Sequence, residues 1–360
     1  MGVQALRGLA ACMVVAFHAT QVWSQHVGDG VVPTVWANGA GGVDLFFVIS
    51  GFVMTVSTVG REHRLHPAWD FLKRRLVRIV PLYWIMTLMV LAKLAFINRH
   101  PQFENSAEHL KTPLSFILAS LTFVPYRTSM GDLHPLVGQG WTLSFEMLFY
   151  LIFAMALALR VRILNLLTPV MIFLAAIGIF YKDSWPPIMS LTDPILLEFL
   201  AGVGLGYMVL GGRKLHWRWC VGLLTAGLLA LLAYPPLKEP KMRVVMWGIP
   251  AYLIVQSAVM LEGRFKRAWP KWILLLGDAS YSLYLTHLLM FAFIVKVLVR
   301  GHVLTAGVVR RQDELVSIVV SLTVCVLVGV GVYLCVERPI NNGLRRALLH
   351  ERKRQVEAAS

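Results

Sequence analysis

The stretch RGLAACMVVAFH, residues Arg7 to His18, decides the fold of this chain. The ten residues between the arginine and the histidine are all small or apolar. A helix of about twenty apolar residues can cross the hydrocarbon core of a membrane, and apolar runs of this kind recur along the whole sequence. The pattern predicts a polytopic membrane protein whose first helix carries two ionisable side chains.

The composition supports this prediction. The chain has 360 residues, of which 57% are hydrophobic and 15% are charged, and its mean hydropathy is +0.66. A soluble domain of this size normally carries more charge. The formal net charge is +15, but no nucleic-acid-binding module accompanies it. The four cysteines lie in or beside apolar runs without CxxC spacing, so we expect small core residues rather than disulfides or metal ligands.

Ten apolar runs predict an all-α integral membrane protein, a single bundle of about ten transmembrane helices. The first run has a basic flank like that of a signal peptide, but more spans follow it, so we expect it to be retained. The piece 113–125 is short and bounded by proline, which favours an interfacial or re-entrant element. The spans are expected at 6–25, 41–59, 78–97, 141–159, 163–181, 194–210, 219–235, 244–261, 272–298 and 315–336.

The distribution of basic residues predicts the orientation, because cytoplasmic loops are enriched in Lys and Arg. Segments on the side of the N-terminus carry 22 of the 34 Lys and Arg, and segments on the other side carry 10. This predicts a multi-pass protein of the cell's inner (cytoplasmic) membrane with both termini in the cytoplasm. We expect residues 1–338 to form the transmembrane domain and 339–360 a basic cytoplasmic tail near anionic membrane lipids.

Four ionisable side chains are predicted inside spans, where such groups are costly and usually functional. At about 1.5 Å per residue, His18, Asp44, Glu146 and His287 are all expected in the outer half of the membrane. Each has a structural alternative: a hydrogen-bonded packing histidine for His18, a helix cap for Asp44, an interhelical pair for Glu146, and structural support or substrate positioning for His287. Their shared depth on four helices favours a functional site.

Basic residues are concentrated where the third span is expected to leave the cytoplasm, in FLKRRLVRIVPLYW. Arg74 and Arg78, and likewise Arg75 and Arg78, are spaced to share a helix face. With Arg7, these guanidiniums are suited to bind an anionic, phosphate-rich ligand. The alternative is ordinary positive flanking of a span. No Walker or GxGxxG sequence is present, so a nucleotide fold is not indicated, and no metal site is expected.

Taken together, these pieces resemble the membrane acyltransferase 3 family. The matching stretches are RGLAACMVVAFH, GGVDLFFVISGF, RRLVRIVPLYW, GWTLSFEMLFY, GDASYSLYLTH and the terminal ERP, and they occur in the family's order. The GGVDLFFVISGFVM and GQGWTLSFEMLFY versions are most similar to exopolysaccharide-modifying acetyltransferases. In the fourth-span motif, Thr142, Met147 and Leu148 replace the family's Ser, second Glu and Gln, which leaves Glu146 as the single acid there.

The resemblance implies transfer of an acyl group, usually acetyl, from cytoplasmic acetyl-CoA to a hydroxyl of a glycan or glycolipid. Acetyl-CoA is then a co-substrate, and no tightly bound cofactor is expected. The resemblance also implies that Arg7 and His18 are essential, and it places the family's RRxxR element on Arg74, Arg75 and Arg78. Polysaccharide-assembly proteins are expected partners, and nucleic acid is not.

The spacing of Arg7 and His18 permits a mechanism. Two residues eleven positions apart on an α-helix point in directions that differ by only about 20° around the helix axis, and they are roughly 16 Å apart along it. We therefore expect the acyl-CoA phosphates at the arginines and the thioester near His18. His18 is suited to act as a general base, oriented by Asp44 or Glu146, or alternatively to form a covalent acyl-histidine.

Three further residues are candidates for substrate binding: His287, Trp141 and Tyr281. Trp141 is alternatively an interfacial anchor, and Tyr281 alternatively a packing residue. Other functions also fit this pattern of polar residues. The acceptor is alternatively a small secondary metabolite, and the protein is alternatively a proton-coupled transporter or a membrane scaffold.

Overall fold

A computed structural model of the chain describes residues 2–27, 37–60, 67–99, 112–128, 131–233, 242–264, 269–304 and 310–357. Within these ranges the fold is all-helical, and the only β-type pairing is an isolated bridge between Arg127 and Leu133. The helices are α1 Gly2–Val27, α2 Gly42–Thr58, α3 Pro67–Arg99, α4 Leu114–Leu121, α5 Trp141–Ala158, α6 Ile163–Ile179, α7 Leu196–Leu210, α8 Trp217–Ala233, α9 Ile249–Leu261, α10 Lys271–Asp278, α11 Ser280–Arg300, α12 Arg311–Val332 and α13 Arg338–Glu357.

Seven helical segments in the described ranges are long and apolar enough to cross a membrane, and the apolar helices α6, α7 and α8 are shorter. Nine of the ten predicted spans coincide with one of these segments or helices, and the remaining one, 272–298, coincides only in part. Large apolar side chains such as Phe173 and Leu229 are exposed on the outside of the bundle, as lipid-facing residues are. The chain is therefore a multi-pass membrane protein. The count of ten crossings and the orientation stay predictions.

The predicted single span 272–298 is wrong, because the helix breaks at Ala279 between α10 and α11. The break lies where α1 crosses closely over α10. A Cβ atom on Gly277 would stand 2.1 Å from the carbonyl oxygen of Gln4, so only glycine fits the contact. The Gln4 amide also donates a hydrogen bond to the Asp278 carboxylate at the end of α10. These tertiary contacts of α1 hold the break in place.

Two neighbouring helices fix the levels of the site residues. Helix α2 begins beside α1 about one to two turns before His18, counted from the N-terminus of α1. A Cβ on Gly42 would meet the carbonyl oxygen of Ala10 and the side chain of Val14. We use "below" for the direction towards the N-terminal end of α1. Helices α2 and α7 run parallel, with Gly202 packed against Val48. The Arg-bearing start of α3 lies at the far end of α2, because Arg75 donates to Ser57.

The segment 113–125 contains the eight-residue helix α4, which is about 12 Å long and too short to cross a membrane. It packs against α3: Tyr83 and Trp84 donate hydrogen bonds to the carbonyl oxygens of Ser120 and Leu121 at 3.0 Å each. An aromatic core joins α3, α5 and α7. Its stacked pairs are Phe71 with Phe153 and Phe149 with Phe199, each at 4.7 Å.

Candidate active site

A partly open cavity of about 780 Å³ lies between α1, α2, α3, α5 and α11. Helix α2 lines it from Val43 to Met54, so the cavity follows most of the length of that helix. Three guanidiniums and one carboxylate face it, together with several hydroxyl groups. These lining residues are Arg7, Arg75, Arg78, Glu146, Ser50, Thr142, Tyr150, Ser280, Tyr281 and Tyr284.

Arg7 reaches the cavity because α1 packs over the break between α10 and α11. Its Nη2 donates to Ser280 Oγ at 2.9 Å, and its Nη1 donates to Gln4 Oε1 at 3.3 Å. Ser280 is the first residue of α11, so the break presents this hydroxyl to the guanidinium. The buried carboxylate of Glu337 also acts on Arg7 electrostatically and accepts a hydrogen bond from Ser282 at 2.6 Å.

Arg75 and Arg78 line the cavity from α3, one turn apart on one helix face. The Nη2 of Arg75 donates to Ser57 Oγ at 2.8 Å, and its guanidinium lies 5.6 Å from the Phe71 ring centroid. Arg74 is exposed and is not among the lining residues. The structure therefore brings together three of the four predicted phosphate-binding arginines, Arg7, Arg75 and Arg78, and places Arg74 outside the cavity.

Glu146 lies in the same cavity as these arginines. Its Oε1 accepts hydrogen bonds from Ser50 at 2.8 Å and from Tyr150, one turn along α5, at 2.5 Å. The sequence suggested Glu146 as one of two possible partners of His18, but its hydrogen bonds in the structure go to Ser50 and Tyr150. The acid instead contributes negative charge next to Arg7 and Arg75, on both of which it acts electrostatically.

The structure brings His18 and His287 together as a pair. Their ring centroids are 5.1 Å apart, with the planes tilted by 35°. His18 is half-buried and donates from Nδ1 to Gln21 Oε1 at 3.1 Å. His287 is fully buried and donates from Nδ1 to the carbonyl oxygen of Tyr284 at 2.6 Å. In the sequence, Gln21 was not singled out, although it follows His18 by three residues on the same face.

Asp44 has a different partner from the one the sequence suggested. Arg243 donates to both of its carboxylate oxygens, at 2.7 and 3.1 Å, and Asp44 is fully buried. The Asp44 carboxylate therefore orients Arg243 and not His18. Arg243 precedes a π-helical turn at Val244–Gly248 and also lies 5.1 Å from the Trp247 ring. The sequence showed Arg243 only as a loop residue at the edge of an apolar run.

A second carboxylate lies beside this ion pair. Glu198 of α7 is 2% exposed and lies beside Asp44 and Arg243, both of which act on it electrostatically. It packs against Gly248, where a Cβ would stand 2.8 Å from Glu198 Oε1. Asp44, Arg243 and Glu198 thus form one polar cluster between α2, α7 and the start of α9, at a level below the histidine pair.

Tyr284 joins the cavity to the histidine pair. Its ring lines the cavity, and its hydroxyl donates to the carbonyl oxygen of Gln139 at 3.2 Å and lies 3.1 Å from Thr142 Oγ1. The carbonyl oxygen of Tyr284 accepts a hydrogen bond from His287, and the ring centroids of these two residues are 5.8 Å apart. Tyr284 was not among the candidates that the sequence suggested. Its spacing of three residues from both Tyr281 and His287 is the signal that placed it on this face.

The two predicted aromatic substrate binders lie in different surroundings. Tyr281 lines the cavity and donates from its hydroxyl to the carbonyl oxygen of Ile79 at 2.7 Å. Trp141 is half-buried outside the lining, with the Arg243 guanidinium 5.8 Å from its ring and Phe145 at 6.0 Å. Trp141 therefore belongs to the polar cluster around Arg243, and only Tyr281 contacts the cavity.

Comparison with known proteins places these residues in a family. The acyltransferase domain pattern matches residues 2–334. The chain is 33% identical over 328 residues to the exopolysaccharide production protein ExoZ of Rhizobium meliloti (strain 1021), covering 90% of this chain and 93% of ExoZ. It is 26% identical to nodulation protein 10 of Rhizobium leguminosarum bv. viciae, covering 82% and 84% of the two chains.

A shorter match of 156 residues, at 28% identity, links 42% of this chain to 23% of the peptidoglycan O-acetyltransferase OatA of Listeria monocytogenes. No solved structure matches the chain. The domain match extends over nearly the whole helical bundle and includes every residue of the cavity and of the histidine pair. The chain therefore belongs to the acyltransferase family, as the RGLAACMVVAFH and GDASYSLYLTH stretches predicted.

Proposed function

We propose that this protein is an integral-membrane O-acyltransferase of the cell inner membrane. It moves an acyl group, acetyl by preference, from cytoplasmic acyl-CoA to a hydroxyl of an exported or cell-envelope carbohydrate. The names of two relatives, one for exopolysaccharide production and one for peptidoglycan O-acetylation, support a carbohydrate acceptor. Family membership supports acyl transfer.

The single observation that carries the donor assignment is the convergence of Arg7, Arg75 and Arg78 on one cavity. Guanidiniums bind phosphate through paired, charge-assisted hydrogen bonds, and acyl-CoA carries its phosphates at one end of a long arm. The cavity continues along α2 to Tyr284, behind which lie His18 and His287. Along α1, Arg7 and His18 are about 16 Å apart, a separation suited to a donor with a charged head and a distant thioester.

His18 supplies the base in this proposal. Its Nδ1 proton is engaged by Gln21 Oε1, which leaves the lone pair of Nε2 to accept a proton. The acceptor oxygen forms a bond to the thioester carbonyl carbon while its proton passes to Nε2 of His18. The carbon–sulfur bond then breaks, and the departing CoA thiolate takes that proton. Glu146 acts on the arginines in this scheme, and Asp44 acts on Arg243.

The test is acyl transfer by the purified protein in proteoliposomes with acetyl-CoA labelled in the acetyl group. Label appearing in added cell-envelope carbohydrate, with release of free CoA, supports the proposal. Uptake of label without thioester cleavage supports the transporter alternative and contradicts the proposal. A parallel comparison of surface glycans from deletion and complemented strains by mass spectrometry identifies the acceptor. If acetyl is missing from a small metabolite instead, the carbohydrate assignment is wrong.

A further inference from the structure

His287 has one buried nitrogen whose role the proposed function leaves unexplained. Its side chain is 0% exposed, and its Nδ1 is bound to the carbonyl oxygen of Tyr284. Its Nε2 has no hydrogen-bond partner among the described residues. A buried polar atom without a partner costs free energy and calls for an explanation. The ring beside it is that of His18, with centroids 5.1 Å apart.

The hydrogen bonds fix which nitrogen carries the proton in both rings. Carbonyl and amide oxygens only accept, so His287 donates from Nδ1 to Tyr284 and His18 donates from Nδ1 to Gln21. In the neutral state both Nε2 atoms are therefore acceptors, and two acceptors cannot bond to each other. Once Nε2 of His18 takes up a proton, it becomes a donor, and the free Nε2 of His287 is an acceptor on the adjacent ring.

Among the described residues, the side chains that contact the two rings carry no charge that would compete for this role. The described contacts of the two rings come from Phe17 and Gln21 on α1 and from Tyr284 and Phe291 on α11. Helix α12 adds the Cys325 thiol, which lies 4.0 Å from the backbone carbonyl oxygen of His287. None of these contacting side chains is an acid or a guanidinium. The imidazolium that forms on His18 is therefore left to be stabilised by a neutral acceptor.

We propose that His287 is a positioning residue whose Nε2 accepts a hydrogen bond from protonated His18 during acyl transfer. This inference rests on the proposed function, since it assigns the partner of the proposed base. The proton leaves the acceptor hydroxyl, resides on Nε2 of His18 in contact with Nε2 of His287, and then goes to the departing thiolate. His287 thus performs the stabilising role for which the sequence suggested Asp44 or Glu146, and it contacts neither donor nor acceptor.

Two substitutions of similar shape test the roles of the two ring nitrogens of His287 separately. In H287Q the side-chain amide replaces Nε2 and offers an oxygen to His18, whereas in H287N the amide replaces Nδ1 and retains only the bond to Tyr284. We expect H287Q to remain within a few-fold of the wild-type kcat. We expect H287N to lose about 10- to 100-fold in kcat, the range for a hydrogen bond to a charged group. The KM for acetyl-CoA should be unchanged in both.

The pH dependence of the acyl-transfer rate distinguishes this role from a merely structural one. His18 cannot act as a base once it is protonated, so the rate falls on the acidic side. A hydrogen bond to His287 stabilises protonated His18, so H287N should move this acidic limb to lower pH, and H287Q should move it less. The midpoint of the limb does not depend on how much of a preparation is folded. The measurement therefore remains decisive for partly folded variants.

The outcomes distinguish this inference from the function on which it rests. If the wild-type protein transfers no acyl group, the proposed function fails. If the wild-type protein is active but H287N has the wild-type pH profile, only the role of His287 is overturned. The same holds if H287N is more active than H287Q, because the bond to Tyr284 would then be the important one.

Discussion

Arg7 is held in the cavity by two different elements, because Gln4 of its own helix and Ser280 at the start of α11 both receive hydrogen bonds from its guanidinium. These contacts leave part of its five-donor fork free for a ligand. Arg75, held by Ser57, is arranged in the same way. Each of these arginines is thus fixed in position before a donor binds, which reduces the entropy lost on binding.

The phosphate assignment predicts different effects for neighbouring arginines. R75A and R78A should each raise the KM for acetyl-CoA by about tenfold or more, since each removes a charge-assisted contact worth about 1.5–3 kcal/mol. R74A is the matched control, because Arg74 is exposed outside the cavity. Steady-state kinetics in proteoliposomes check this. An equal rise in KM for R74A would indicate a general effect of positive charge rather than a defined site.

The ion pair of Asp44 and Arg243 leads to a prediction about stability. Removing one partner breaks this ion pair, and R243M also leaves the carboxyl groups of Asp44 and Glu198 without their cation, so D44A or R243M alone should lower the free energy of unfolding by about 3 kcal/mol. The double variant D44A/R243M should lose clearly less than the sum of the two losses. Unfolding in detergent, followed by circular dichroism, measures these values. Additive losses would contradict a direct pairing of the two side chains.

At the element scale, the crossing of α1 over α10 sets the position of Arg7. The crossing depends on Gly277, whose missing side chain lets α1 come close. The G277A variant should therefore separate Arg7 from Ser280, lower the melting temperature and raise the KM for acetyl-CoA. The steric cost of overpacking a close contact is about 1–3 kcal/mol.

The matched control for this variant is G331A on α12, where a Cβ would meet nothing within 4 Å. Both substitutions add one methyl group to a helix, so their difference reports the close contact itself. Thermal unfolding and donor kinetics of the two variants should be measured together. Wild-type stability and KM in G277A would show that the approach of α1 to α10 does not position Arg7.

The sequence predicted these elements with uneven success, for physical reasons. Apolar runs are local, so the positions of the spans could be read directly. The helical repeat likewise placed Arg75 and Arg78 on one face, and helix depths brought His18 to His287. The break at Ala279 could not be predicted, because it depends on a contact with Gln4, which is far away in the chain. The partner of Asp44, 199 residues away, was hidden for the same reason.

Depth counting grouped four side chains that have different partners in the structure. Helix α2 begins beside Ala10 and Val14, so Asp44 lies below His18 and not next to it. Glu146 lines the cavity together with Arg7, Arg75 and Arg78. The site therefore has three separate polar groups: the arginine-lined cavity, the Asp44 cluster and the histidine pair.

At the scale of the whole molecule, the bundle has a distinct end at which the arginines meet. The positive-inside pattern predicts that this end faces the cytoplasm, where acetyl-CoA is available. A fluorescent protein fused to the C-terminus should therefore be bright, and alkaline phosphatase fused there should be inactive. The opposite pair of results would place the arginines outside and contradict a cytoplasmic donor.

The central claim is that His18 is the base of an acyl transfer whose donor is bound by the arginines. It is tested most directly by comparing H18A with H26A in the labelled acetyl-CoA assay, since His26 is exposed on the same helix. Loss of a general base reduces rates by about 10²–10⁴-fold. We predict a loss of that size in H18A with membrane insertion intact, and wild-type rates in H26A. Acyl transfer by H18A at the wild-type rate would contradict the account.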